Sequence, residues 1–259
     1  VLRALLLAAS AATLAGTSLE VVSTHRGRGF ELRPLAIEFL GGERFLALSA
    51  DELALYALDS AGAAALLSRA PLPGPFFAVR APAGMLRVAS ADAACWAMTN
   101  GMHDALLYAV EGNRLLLRER AAALPWPGAP AGLRYLPGTN VLERGDERLA
   151  RVAEGGWAVM DDGTLLQADR AGGLRVGTAL APLWEPFALA SAPLPPGQGD
   201  ALLLLERGAA GAAIAETLPV DGSIRALAAQ VAGRRARVVV AVEPSEAGLL
   251  VLEFRAREP

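Results

Sequence analysis

The chain has 259 residues, with 27 acidic against 24 basic side chains and a net charge of -3, so its totals carry no nucleic-acid footprint. Apolar residues make up 53% of it and charged residues 20%, which excludes a disordered chain and supplies a large core. All 24 basic residues are arginine and Cys95 is the only cysteine. This excludes a Schiff-base or P-loop lysine and an intrachain disulfide.

The first segment is a targeting signal. Arg3 precedes an apolar run from Ala4 to Leu14 that ends in the small residues Ala15 and Gly16, the order of a secretory signal. It is shorter than the roughly 20 apolar residues of a comfortable span. Residues 1–16 are therefore expected to be a signal peptide, with a retained membrane anchor as the alternative. The protein is expected to be exported, periplasmic or extracellular. Residues 17–259 are expected to form one domain.

The next stretch, Ser18-Leu19-Glu20-Val21-Val22-Ser23-Thr24, has β-branched residues suited to a strand. From Leu32 onward a phrase recurs: an apolar strand, a short polar turn and a second apolar strand. In its first copy Leu35-Ala36-Ile37-Glu38-Phe39-Leu40 is followed by Gly41-Gly42-Glu43, then by Arg44–Ser49, a turn at Ala50-Asp51 and a return over Glu52–Leu58. Short apolar runs bounded by Gly, Asp and Ser read as hairpins. Two middle copies each place a Trp in a strand, at Trp96 and Trp157, and a Pro-flanked Trp further on, at Trp126 and Trp184. Leu-Pro exits at Ala70–Pro73, Ala123–Trp126, Ala181–Trp184 and Thr217–Pro219 cut the chain into five segments.

The last copy runs from Ser223 through Val238-Val239-Val240-Ala241-Val242 to Leu249–Phe254. Ser223–Gly233 also fits a helix, with Ile224, Leu227, Ala228 and Val231 at helical spacing, but its alignment with the first copy favours a strand. Leu202–Leu205 and Val238–Val242 are continuous apolar runs, as expected of strands covered on both faces; a β-sandwich, the alternative, would alternate more cleanly. Repetition at roughly 40–50 residues indicates a propeller or solenoid. The expectation is an all-β β-propeller of about five blades, with six as the alternative, in which Ser18–Thr24 pairs with Leu249–Phe254 and joins the two ends of the chain.

Leu35–Leu58 and Leu227–Leu252 resemble degenerate blades of the FG-GAP/VCBS type found in integrin-like propellers, and Leu55–Gly62 resembles one repeat of the quinoprotein-like propellers. The integrin-type resemblance implies a calcium loop between first and second strands. The corresponding stretches here, Gly41–Arg44 and Val231–Arg235, lack the repeated Asp that supplies hard oxygen ligands. No cofactor or metal is expected.

Candidate functional residues lie in the turns. His103-Asp104 follows Thr99-Asn100-Gly101-Met102 in a polar loop, an imidazole beside a carboxylate, more simply an exposed loop histidine. Asp161-Asp162-Gly163 is most simply a hairpin turn. Asn100, His103, Asp104, Asp161 and Asp162 are the candidate binding residues, and Pro137–Glu147 is expected to be a further long loop. His25 belongs to a small basic loop, Thr24–Gly29, and Cys95 lies in an apolar run that suits a buried thiol. No catalytic set is discernible. The expected function is noncatalytic binding or scaffolding of a protein or cell-envelope partner, without nucleic acid and with membrane association through the N-terminal segment. The alternative is a propeller hydrolase or lyase with a central-channel active site.

Overall fold

Apolar runs of five to ten residues separated by Gly- and Asp-bearing turns fold as antiparallel meanders. The computed structural model describes residues 19–27, 32–73, 84–90, 94–99, 101–121, 124–125, 133–136, 141–144, 147–151, 158–159, 165–166, 180–184, 186–193, 199–208, 211–243 and 248–256. Among them there are strands and turns but no helix.

After β1 (Leu19–Gly27) the strands gather into sheets in chain order. The first sheet is β2 (Ala36–Gly41), β3 (Arg44–Leu48), β4 (Glu52–Leu58) and β5 (Ala64–Pro71). The second is β6 (Gly84–Ser90), β7 (Ala94–Thr99), β8 (Ala105–Glu111) and β9 (Arg114–Ala121). The third is β10 (Leu124–Pro125), β11 (Leu133–Leu136), β12 (Val141–Arg144) and β13 (Glu147–Arg151), and the fourth is the pair β14 (Ala158–Val159) and β15 (Leu165–Leu166). The fifth is β16 (Leu180–Pro182), β17 (Phe187–Pro193), β18 (Asp200–Gly208) and β19 (Gly211–Val220). The sixth is β20 (Ser223–Ala232), β21 (Arg235–Glu243) and β22 (Leu249–Ala256), with β1 as its fourth strand.

The described residues thus hold five four-stranded sheets and one two-stranded sheet, the count of the six-bladed alternative. Two exits are misread in the sequence. Ala123–Trp126 and Ala181–Trp184 each open a sheet, supplying Leu124–Pro125 of β10 and Ala181–Pro182 of β16, and the third and fourth sheets both fit between Ala123 and Leu180. Pro182 sits at a strand end, where a missing N–H is tolerated. Two loop expectations also change. Pro137–Glu147 contains β12, paired with β11, and His25 lies within β1 opposite Val251 rather than in a loop. Ser223–Ala232 is a strand throughout, paired with β21.

The chain's ends meet. β1 runs antiparallel to β22 from Leu19 opposite Ala256 to Gly27 opposite Leu249. The first sheet packs one face against the sixth and the other against the second. Ile37, Phe39, Phe45 and Tyr56 meet Ala226, Val239 and Val251 on one side. Leu46, Leu48 and Leu55 meet Leu86, Cys95 and Leu106 on the other. The sixth sheet is likewise covered twice, its second face packing Val238, Val240 and Phe254 against Leu189, Leu202 and Leu204 of the fifth. Sheets covered on both faces are blades rather than halves of a sandwich. Val238 to Val242 and Leu202 to Leu205 are accordingly all buried. Phe45 stacks on Tyr56 at 5.3 Å between ring centroids.

The chain is an all-β protein of the propeller class. The meander order gives each blade two ends. First-to-second and third-to-fourth strand turns lie at one, the hairpin end; second-to-third turns and the linkers between sheets lie at the other, the linker end.

The outermost strands share a feature that residue identity conceals. In every four-stranded sheet the fourth strand carries one extra, unpaired residue: Leu67 in β5, Arg118 in β9, Leu149 in β13, Ala215 in β19 and Val22 in β1. Such bulges twist a free edge away from further pairing. β1 bears the bulge of a fourth strand although it is first in the chain.

Candidate binding surface

At the linker end a carboxylate stands at the mouth of the third strand in three sheets: Asp51 before β4, Asp104 before β8 and Asp200 opening β18. Two are committed to structure. Ser49, buried at the end of β3, donates from Oγ to Asp51 Oδ1 (2.8 Å) and accepts from Glu52 N (3.1 Å). Asp51 O accepts Leu72 N at 2.8 Å, fastening the sheet's exit. Asp200 Oδ2 accepts Ile224 N at 2.6 Å, and Asp200 N donates to Gly222 O at 2.8 Å, tying the fifth sheet to the start of the sixth.

Asp104 is different. Its turn is pinned from within, because Met102 is buried, its N–H donates to Thr99 O (3.1 Å), and its Sδ accepts Thr99 N (3.4 Å). Ala105 on the other side is wholly buried. Between these anchors the chain lifts His103 into solvent and leaves Asp104 half-buried. The structure thus brings His103 and Asp104 together on one turn, as the sequence order requires. Asn100, Asp161 and Asp162 lie outside the described residues, as do Trp126 and Trp157.

Other groups with chemical potential are engaged or shielded. Cys95 is buried and burial pushes its thiol up to about 12, as befits a core residue. The Gly41–Arg44 turn that would correspond to a calcium loop points Glu43 at the Arg237 guanidinium, which also holds Glu253 Oε1 at 2.8 Å. Gln230, with its amide set so that Nε2 donates to Gly42 O (2.6 Å) and Oε1 accepts from Gly42 N (3.0 Å), closes the same junction. Among the described residues no three His, Cys, Asp or Glu side chains converge as metal ligands.

Sequence reasoning missed one charged pair on the first strands. Glu38 of β2 faces Arg87 of β6 at 3.7 Å, each about a third exposed. Nothing in the spacing of two residues 49 positions apart announces it.

The hairpin ends of neighbouring sheets are joined by single bonds. Trp184 Nε1 donates to Gly233 O (2.5 Å), from the fifth sheet to the sixth, and Arg44 donates to Gly112 O (2.9 Å), from the first to the second. At the linker end Glu243 is held by Arg33 (3.1 Å) and Arg225 (2.7 Å).

No family model matches the chain, and no curated protein is detectably similar to it. Several solved structures are similar in shape. The WD40 repeats of RRP9 share 11% identity at a TM-score of 0.48, with 92% of this chain and 97% of that one covered. The periplasmic gluconolactonase PpgL of Pseudomonas aeruginosa shares 14% at 0.29, covering 86% and 70%. The WD40 domain of SCAP from fission yeast shares 6% at 0.24, covering 79% and 52%. The blade architecture rests on the sheets themselves.

Proposed function

We propose that this protein is a noncatalytic, extracytoplasmic propeller that binds a protein or cell-envelope component at its linker end, through the turn bearing His103 and Asp104. One observation carries the reading. Carboxylates at the same place in two other sheets, Asp51 and Asp200, fasten backbone and turn, whereas Asp104 forms no ion pair with another described residue and stands beside an exposed imidazole. A turn anchored by Met102 and Ala105 does not need the Asp104 carboxylate to hold its shape, and function on rigid scaffolds collects in such turns. The blades belong, on this reading, with degenerate FG-GAP/VCBS-like repeats whose calcium loops have been replaced by inter-blade ties such as Glu43–Arg237. Residues 1–16 act as an export signal, and the intact mass of the native protein tests its removal.

The deciding experiment is capture from envelope extracts by the wild-type protein and by a His103→Ala/Asp104→Ala variant, with His103→Gln/Asp104→Asn as a polar control. The reading expects one partner to be retained by wild type and lost by the alanine variant at unchanged melting temperature. Equal capture by both would remove this turn from the binding surface. The alternative, a propeller enzyme, has Glu38–Arg87 on the first strands in its favour. A hydrolytic activity abolished by Glu38→Gln would establish it.

A further inference from the structure

The hairpin end of the sixth sheet combines three features that occur together nowhere else among the described residues. The first is charge. Arg234, Arg235 and Arg255 are all exposed there. Arg235 and Arg255 stand directly opposite one another across the β21–β22 ladder, an arrangement that is destabilising unless something anionic lies nearby. Arg237, two positions on from Arg235, is already neutralised by Glu43 and Glu253. Glu20 of β1 takes the register position on the other side of Arg255.

The second feature is an apolar tip. Val231 is one of four large hydrophobic side chains left exposed among the described residues, at 39%, and it lies in the same hairpin, opposite Ala236. Trp184 reaches this hairpin from the fifth sheet through its bond to Gly233 O. Half-buried Trp and exposed Val beside arginines are the mixture that suits a lipid headgroup boundary. The third feature is the path of the chain. β1 begins at Leu19, opposite Ala256, so the sequence before it, with its apolar run, leads into β1 at this end.

We infer that the Val231–Arg235 hairpin, together with Arg255, docks on an anionic phospholipid bilayer. Its arginines meet lipid phosphates, Val231 and Trp184 face the headgroup layer, and the linker end with His103 is turned away from the membrane. This orientation is independent of which partner the linker end binds, and it stands or falls without the capture experiment.

The test uses the full chain on vesicles of phosphatidylcholine with phosphatidylglycerol and on vesicles of phosphatidylcholine alone, read by amide hydrogen exchange and by co-flotation at low and high salt. Amides of residues 231–235 and 254–256 should be protected on the anionic vesicles only, while those of 101–104 exchange as in solution. An Arg234→Gln/Arg235→Gln/Arg255→Gln variant should lose that protection, and the electrostatic part of its binding should fall by about a hundredfold at low salt. Lysine at the same three positions should restore both. An Arg33→Gln/Arg69→Gln/Arg225→Gln variant, altered only at the linker end, should behave as wild type. Equal protection on neutral vesicles, undiminished protection in the glutamine variant, failure of lysine to rescue, or an equal loss in the linker-end variant would overturn the inference.

Discussion

Gly199 tests whether the fifth and sixth sheets are held by the short contact at their linker ends. Its φ is +77°, and a Cβ there would lie 2.3 Å from Val220 O, 2.9 Å from Gly222 N and 3.2 Å from Gly222 O. All three are backbone atoms, so no side-chain rotation relieves the collision. In Gly199→Ala the chain must swing back, and the next residue, Asp200, then loses its bonds to Gly222 O (2.8 Å) and Ile224 N (2.6 Å). A neutral hydrogen bond contributes about 1 kcal/mol net and a carboxylate-assisted one about 2 kcal/mol. With about 1 kcal/mol of left-handed backbone strain, the loss comes to about 4 kcal/mol. For a domain of this size that lowers Tm by roughly 8–16 °C. Gly112→Ala is the matched control, because its φ is +60° but nothing lies within 4 Å of the added methyl, so it carries the strain without the collision and should cost roughly 2–4 °C. Tryptophan fluorescence melts of both variants decide. If Gly199→Ala melts no lower than Gly112→Ala, the junction does not hold the sheets as described.

Removing residues 1–27 takes β1 from β22 and uncovers the edge of the sixth sheet, so unfolding should begin earlier across the first, fifth and sixth sheets together; a truncated chain that melts like the intact one would refute the clasp. Cys95, raised to about 12 by burial, is a neutral thiol at pH 8 and should resist a soluble thiol reagent in the native protein while reacting fully in denaturant; rapid native labelling would contradict its burial. Burial also raises the Glu216 carboxyl above its ordinary value of 4.5. The folded chain therefore holds that proton where the unfolded chain has lost it, and stability declines as pH rises from 4.5 toward the folded value. Glu216→Gln should flatten that decline, modestly because the group is largely solvated, and an unchanged pH profile of urea midpoints would show that the shift is absent.

What the sequence made legible was what burial writes into it. Runs apolar on every residue, such as Val238–Val242, announced strands covered on both faces, and the β-branched Ser18–Thr24 stretch announced a strand with no partner in its own neighbourhood. Burial of Cys95 followed from its flanking residues. The Leu-Pro exits were less reliable, because a proline marks the end of a strand without saying whether the chain then leaves the sheet or turns back within it. Ala181–Trp184 turns back. Long-range polar ties were illegible for a different reason. Glu43 meets Arg237 across 194 positions, and no local pattern distinguishes those two from any other exposed Glu and Arg. Asp51 and Asp104 were both visible as turn residues, but only the bond from Ser49 Oγ marks Asp51 as a carboxylate committed to its turn.

The bulges explain why a repeat so regular in backbone leaves so little trace in residues. The extra residue is Leu, Arg, Leu, Ala or Val in the five outer strands, so neither its size nor its charge matters; what recurs is a pairing offset. A fourth strand has a neighbour on one side only, and an offset there bends the edge without disturbing the three strands within. Any residue that tolerates partial exposure serves. Selection for blade geometry then acts on register and on apolar content, both of which many sequences satisfy, while the motif that would mark a family is free to decay. β1 makes the point most sharply: it lies at the opposite end of the chain from β22, yet it acquires the offset of a fourth strand because of where it pairs and not because of what it contains.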